Sequence, residues 1–360
     1  MYKKIRQVLG IILVVAIIIT IGMVSGCKSN ADVPEIDVSE EEASKSSEEE
    51  VAGENKEAIE EDAVEKKASE EEIDLGIEVI DGLGNVVILE SPAEKVIVFA
   101  PSALEVIDAI GGMDKVIGVD NWSVENKEPL AEGFESFGDF QALNIEKITE
   151  ANPDLIINLA GGPVEDYERV GEFGVAVYTV EVPSLEKCYE DIVNIGIMLG
   201  LENDAVEIKD DFETQVNEIY AKVKDLDESE KPKVFYEISD DPLWSTGSST
   251  FIDDLIVKAG GVNIVSNDGL EGYVEYSVEK LIENDPDIII TGDGGMYSAK
   301  TEDVILDDVR FSSVSAVINE RVYIVPENSV VRPNHNTIKG LMMFAKATHP
   351  EIFGEFEIVE

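Results

Sequence analysis

Short apolar runs alternate with helical patterns along most of this 360-residue chain. Val96-Ile97-Val98-Phe99, Leu155-Ile156-Ile157, Val175-Ala176-Val177-Tyr178, Val234-Phe235-Tyr236, Ile288-Ile289-Ile290 and Val322-Tyr323-Ile324-Val325 each read as a buried strand. Helical stretches lie between them, which predicts an α/β protein with parallel sheets and crossover helices. From Asn203 to Leu226 no Gly or Pro interrupts the chain, and Ile208, Phe212, Val216, Ile219 and Val223 fall near one face at helical spacing. That pattern predicts one long helix.

The pattern also repeats. Asn144-Ile145-Glu146-Lys147-Ile148 leads through Asn152-Pro153-Asp154 into Leu155-Ile156-Ile157, and Ser277-Val278-Glu279-Lys280-Leu281 leads through Asp285-Pro286-Asp287 into Ile288-Ile289-Ile290. The offset is a constant 133 residues. Each copy reads as an N-cap, a short helix, a proline turn and a buried strand. Two Rossmann-like lobes are therefore expected, residues 76–202 and 229–360, joined by a single long α-helix over 203–228.

The first 75 residues have a different character. Lys3, Lys4 and Arg6 precede an apolar run from about Leu9 to Val24, which ends in Val24-Ser25-Gly26-Cys27. This is the plan of a secretory signal, and its last four residues resemble the lipobox of bacterial lipoproteins. By that resemblance Cys27 carries a thioether-linked diacylglycerol and becomes the mature N-terminus; the alternative is an uncleaved membrane anchor. Both readings put the rest of the chain outside the cytoplasm. Residues 28–74 hold 19 acidic and 5 basic residues, a net charge of −14, and no aromatic. A stretch over residues 28–75 so poor in apolar surface is expected to be a disordered spacer.

Charge narrows the partners. The chain has 77 acidic against 27 basic residues, a formal net charge of −50, which leaves no basic surface for nucleic acid or for anionic lipid headgroups. Two Cys and two His are too few for a structural zinc site of four cysteines. Cys188, in a helical stretch, is expected to be a buried structural thiol. The hydroxyl-rich Ser245-Thr246-Gly247-Ser248-Ser249 and the paired Asp240-Asp241 lack the base and orienting partner of a nucleophilic enzyme. Gly161-Gly162 and Gly292-Asp293-Gly294-Gly295 lack a phosphate-loop lysine and read as turns at strand ends.

The body from about residue 76 resembles the substrate-binding proteins of ABC importers, in the class that carries vitamin B12, ferric siderophores and haem. Pro101-Ser102 with Glu105, Ala109-Ile110-Gly111-Gly112 to Val119, Ala259-Gly260-Gly261 with Asn263-Ile264, Arg332-Pro333, Gly340-Leu341 and His349-Pro350-Glu351-Ile352-Phe353 carry the resemblance in order. It implies a ligand cleft between the two lobes, in a non-enzymatic, membrane-tethered monomer without a resident cofactor. That monomer captures a metal chelate and hands it to a permease dimer with its ATPase subunits. It implies that Glu146 and Glu279, one per repeat, dock on the permease. Members that carry vitamin B12 have ligand-contacting aromatics at the positions of Trp122, Phe140, Trp244 and Tyr273, and Arg332 matches a cleft arginine. The class often has a second arginine where this chain has Asn336 and a proline where it has His335. His335 is then either a surface residue or an axial ligand for haem or cobalt.

Five arginines in all make a polyanionic catecholate chelate a poor match. A corrinoid asks for aromatic faces and amide partners, so the expected order is corrinoid, then ferric hydroxamate, then haem. Two histidines do not form the cluster of a zinc or manganese carrier. An exported enzyme and a tethered ligand sensor without a transporter are the competing classes.

Overall fold

The computed structural model describes residues 76–294 and 301–359, which belong to one compact unit. Cys27 and the spacer lie outside the described residues, as does Gly295. An antiparallel hairpin, β1 (Ile77–Ile80) and β2 (Val86–Leu89), opens the body. The first lobe is a parallel sheet of β3 (Val96–Val98), β4 (Val116–Val119), β5 (Glu135–Ser136), β8 (Leu155–Leu159) and β9 (Ala176–Val180), in the order β5-β4-β3-β8-β9. A small hairpin, β6 (Gly138–Asp139) with β7 (Ala142–Leu143), lies at its edge. Its helices are α1 (Pro101–Ala109), α2 (Asn121–Glu125), α3 (Ile145–Ala151), α4 (Val164–Gly171) and α5 (Leu185–Leu199).

After α6 (Glu202–Tyr220) the second lobe repeats the plan. Its parallel sheet is built from β10 (Lys233–Glu237), β13 (Val262–Asn263), β15 (Ile288–Gly292) and β16 (Val322–Val325), in the order β13-β10-β15-β16. Beside it stands an antiparallel sheet of β11 (Ser239–Asp240), β12 (Leu243–Thr246) and β14 (Tyr273–Glu275). The main helices of this lobe are α7 (Phe251–Lys258), α8 (Val278–Asn284) and α9 (Thr337–Thr348).

The repeat holds down to single hydrogen bonds. Asn144 caps α3 by accepting from the Lys147 N–H at 3.1 Å, and Ser277 caps α8 from the Lys280 N–H at 3.1 Å. Both helices end on a left-handed residue, Asn152 (φ 47°) and Asp285 (φ 44°). Both then turn at proline, and the next aspartate binds the first sheet strand: Asp154 Oδ2 accepts from the Glu94 and Lys95 N–H groups, Asp287 Oδ2 from the Lys233 N–H.

The buried strands serve two cores each. Val96 and Val98, Leu155 and Ile157, Val234 and Tyr236, and Ile288 and Ile290 all enter one central core. Their alternates Ile97 and Ile156 face an outer core of the first lobe, and Phe235 and Ile289 an outer core of the second. Period-two alternation between two apolar layers explains why these strands read as unbroken apolar runs. The central core includes Ile192 and Ile195 of α5, Phe212 and Val216 of α6, and Leu341 and Phe344 of α9, so the lobes share one interior.

The chain crosses between the lobes through α6. A Cβ on Gly196 would lie 2.3 Å from the Ala205 Cβ, so only glycine allows α5 and α6 this close. Tyr189 and Phe212 meet edge to face with centroids 5.3 Å apart. The connecting helix is shorter than the sequence pattern predicts. It stops at Tyr220, and the chain continues in turns with Lys222 N–H on Ile219 O and Val223 N–H on Tyr220 O. Tightening to three-residue spacing still seats Val223, 1% exposed, against Gly260 of the second lobe.

Candidate functional site

A cavity of about 210 Å³ lies at the carboxyl ends of the first lobe's strands, closed from the other side by the second lobe. Phe99 and Pro101 after β3, Asp120 and Trp122 after β4, Leu159 ending β8 and Val180 ending β9 form one wall. Asn328, Val331, Arg332 and Pro333, beyond β16, form the other. Strand order reverses between β3 and β8, and such a switch point opens a crevice outside the strand ends.

Each aromatic is held by its own local device. Asp120 is buried and caps α2, accepting from the Ser123 N–H at 2.8 Å and the Ser123 hydroxyl at 2.7 Å, which sets Trp122 on the first turn. Phe140 sits in the β6–β7 turn, whose carbonyl accepts from the Tyr167 hydroxyl at 3.0 Å. A Cβ on Gly162 would come within 2.7 Å of that carbonyl, so this glycine of the Gly161-Gly162 turn permits the approach.

Arg332 is half-buried and engaged across the cleft. Its Nη1 and Nη2 donate to the two oxygens of Glu128 at 3.0 and 2.7 Å, and Nη1 also reaches Glu105 at 3.3 Å. The guanidinium lies 5.3 Å from the Trp122 ring centroid. Asn334 and Asn336 both donate to the second Glu105 oxygen at 3.0 Å. Burial works against the charge on Arg332, but Glu128 and Glu105 outweigh it and hold its pKa above the usual arginine value. A second cavity, about 270 Å³, lies on the other side of this cluster, lined by Glu105, Glu128, Leu130, Arg332 and Asn336.

Of the expected cleft residues, Trp122, Phe140 and Arg332 therefore come together. Trp244 and Tyr273 do not line this cavity. They lie on one face of the small antiparallel sheet, Trp244 opposite Glu275 and Tyr273 opposite Thr246, and Tyr273 is exposed. Trp244 is in strand β12. His335 lies elsewhere again, against Ala109 and α6 in a cavity of about 460 Å³ with Asp204, Glu207 and Asp211. Its Nδ1 is buried without a hydrogen-bond partner, and burial lowers its pKa. No group of three or more metal-ligating side chains occurs among the described residues.

Glu146 and Glu279 stand exposed in the first turns of α3 and α8. Cys188 is buried, and burial raises its thiol pKa well above the usual value. Three hydroxyls of the hydroxyl-rich run are engaged: Ser245 donates to the Tyr236 carbonyl at 2.7 Å, Thr246 to the Thr250 hydroxyl, and Ser248 to the Leu270 carbonyl at 3.3 Å.

Sequence reasoning missed Glu128 and Asp139. Glu128 pairs with a residue 204 positions away, and nothing in its neighbourhood separates it from the chain's other acids. No described helix is long and apolar enough to cross a membrane.

Two α/β lobes sharing a core, with a cavity at the strand ends between them, define a solute-binding protein of the single-helix-linker type. Residues 96–329 match the family model described as periplasmic binding protein, and the chain belongs to that family. It is 27% identical over 299 residues to an ABC transporter substrate-binding lipoprotein of Bacillus subtilis, covering 82% of this chain and 92% of that one. It is 26% identical over 257 residues to the vitamin B12-binding protein of Vibrio parahaemolyticus, covering 70% and 88%. The crystal structure of the periplasmic vitamin B12-binding protein of Vibrio cholerae superposes with a TM-score of 0.60 at 24% identity, covering 71% of this chain and 96% of that one. The family's members bind and deliver solutes and are not enzymes.

Proposed function

We propose that this protein is the membrane-tethered substrate-binding component of an ABC importer, and that its cargo is a corrinoid-like metal chelate. The observation that carries the reading is the cavity between the lobes, where Trp122 and Phe140 offer aromatic faces beside the Arg332 cluster. A broad, largely apolar ligand with amide edges gains most from such walls. The vitamin B12-binding relatives support the same ligand class. At about 210 Å³ the cavity is smaller than the roughly 300–1,000 Å³ typical of ligand pockets, so loading requires a small rotation of the lobes about α6. Cys27 carries the lipid, residues 28–75 form the spacer, and the body works as a monomer outside the cytoplasm. Glu146 and Glu279 present the loaded lobes to the permease, whose ATPase partners supply the energy. The chelate is cargo rather than a resident cofactor. We assign His335 no part in holding its metal, because it does not line the aromatic cavity.

A nearly neutral ferric hydroxamate is the second reading, favoured by the scarcity of unpaired positive charge in the cleft. Calorimetric titration of the detergent-solubilised full chain with a corrinoid, a ferric hydroxamate and haem tests the order. Saturable corrinoid binding, weakened by about tenfold or more in Trp122→Ala and in Phe140→Ala, is the expected result. Saturation by an iron chelate alone overturns the ligand and leaves the transport reading in place.

A further inference from the structure

We propose that Glu105 and Glu128 set the charge of the ligand this protein accepts, by neutralising the cleft arginine from the opposite lobe. The inference rests on the solute-binding reading above and adds a selection rule to it. Among the described residues, Arg332 is the one basic side chain lining either of the two cavities beside it. Glu128 grips both terminal nitrogens of its guanidinium and Glu105 takes a further Nη1 bond, so three of its five N–H donors are occupied. One face is spent on Trp122. Asp120 and Asp139 line the 210 Å³ cavity, and Glu105 and Glu128 line its 270 Å³ neighbour. Two carboxylates thus hold the guanidinium, and two more line the cavity it borders.

An anionic group entering this space has two routes, and both are unfavourable. It meets the surplus negative charge directly, or it displaces Glu128 from Arg332 and leaves a half-buried carboxylate without its partner. The second route also disturbs the contact between the lobes. Glu105 and Glu128 belong to the first lobe, while Arg332, Asn334 and Asn336 belong to the second. A neutral amide avoids both penalties, since it can accept from the remaining Arg332 N–H groups. A cationic chelate is favoured by the same surplus. Asn336 fits this rule: its amide joins the Glu105 cluster without adding charge. Glu105 and Glu128 are thereby specificity residues that act through Arg332 and need no contact with the ligand.

The test compares ligands of one shape and two charges. Cyanocobalamin and its monocarboxylic acids, in which one side-chain amide is replaced by a carboxylate, are titrated calorimetrically into the full chain in detergent. The wild type is expected to prefer the amide by about tenfold or more. In Glu105→Gln/Glu128→Gln, which keeps acceptors of the same reach, the preference is expected to fall towards unity. Glu128→Asp, which keeps the charge, is expected to retain most of it. Equal wild-type affinity for amide and acid, or an unchanged ratio in a double variant of native circular dichroism, overturns the inference. If neither corrinoid binds, the corrinoid reading fails, and a neutral ferric trihydroxamate with a trianionic ferric tris-catecholate takes over the charge comparison. Tighter wild-type binding of the tris-catecholate overturns the selection rule, as does failure of all four chelates.

Discussion

Asp191 carries a charge problem that the rest of its helix does not share. It is buried on α5 among apolar residues, accepts a hydrogen bond from the Tyr178 hydroxyl, and keeps its Oδ2 without a partner. Burial raises its pKa from 3.8 to about 7, against the lowering effect of Tyr178. The folded state therefore holds a proton that the unfolded chain has lost across that interval. Its contribution to stability is fully present below about pH 4 and is lost as pH rises through about 7. Asp191→Asn should remove this dependence. Thermal melts should show the variant more stable than wild type at pH 8, by on the order of a few kcal/mol, with no gain at pH 4. A constant difference between variant and wild type across that range would locate the proton elsewhere. Such residue-level facts are the least legible in the sequence. Trp122 and Phe140 are marked as cleft aromatics by the family resemblance and not by any spacing within the chain. Glu128 is not readable, because a pairing across the cleft has no local spacing to betray it.

The repeated helix–proline–strand unit is where sequence and structure agree most closely, and where its two copies can be told apart by experiment. Asn152 and Asp285 occupy the same left-handed position, but only Asp285 uses its side chain in the second role, accepting from the Ser315 N–H at 2.7 Å and the Ser315 hydroxyl at 2.8 Å. Glycine relieves left-handed strain at either position. Asn152→Gly should therefore be neutral or stabilising by up to about 1 kcal/mol, whereas Asp285→Gly should cost about 1–3 kcal/mol through the lost hydrogen bonds. Urea unfolding of the two variants measures the difference, and equal effects would show that the Ser315 contacts carry no net stability. Strands β3, β8, β9, β10, β15 and β16 of the two parallel sheets were legible because they serve two apolar layers and read as unbroken runs, whereas β4 is broken by Gly118 and β5 and β13 span two residues each. The antiparallel sheet of β11, β12 and β14 was not, since its strands span two to four residues with polar side chains among them. The end of α6 was misplaced for a related reason: Val223 has helical spacing but reaches its burial site by a turn.

At the scale of the whole molecule, the shared central core limits what the lobes can do. Residues of both sheets and of α5, α6 and α9 bury one another, and opening the cleft widely would expose that interior to water. The backbone N–H of Leu185, at the start of α5, also donates to Asp254 of α7 at 2.8 Å. Motion is thus confined to small rotations about α6, and the spacing between matched surface points on the two lobes changes little. Glu146 and Glu279 are such points, exposed at the first turns of equivalent helices. A two-fold permease reading one acid per lobe would sense a nearly fixed distance, which suits recognition by charge without large rearrangement. The same repeat supplies an internal control, because Glu150 and Glu283 are also exposed acids at equivalent positions one turn further on. Glu146→Arg/Glu279→Arg should abolish cargo-dependent stimulation of the importer's ATPase in reconstituted vesicles while leaving ligand affinity within about twofold. Glu150→Arg/Glu283→Arg should reduce stimulation only modestly. Equal loss from both pairs would mean that the permease responds to the overall negative charge of this surface, and full activity in the first pair would place the docking contact on other residues of the lobes.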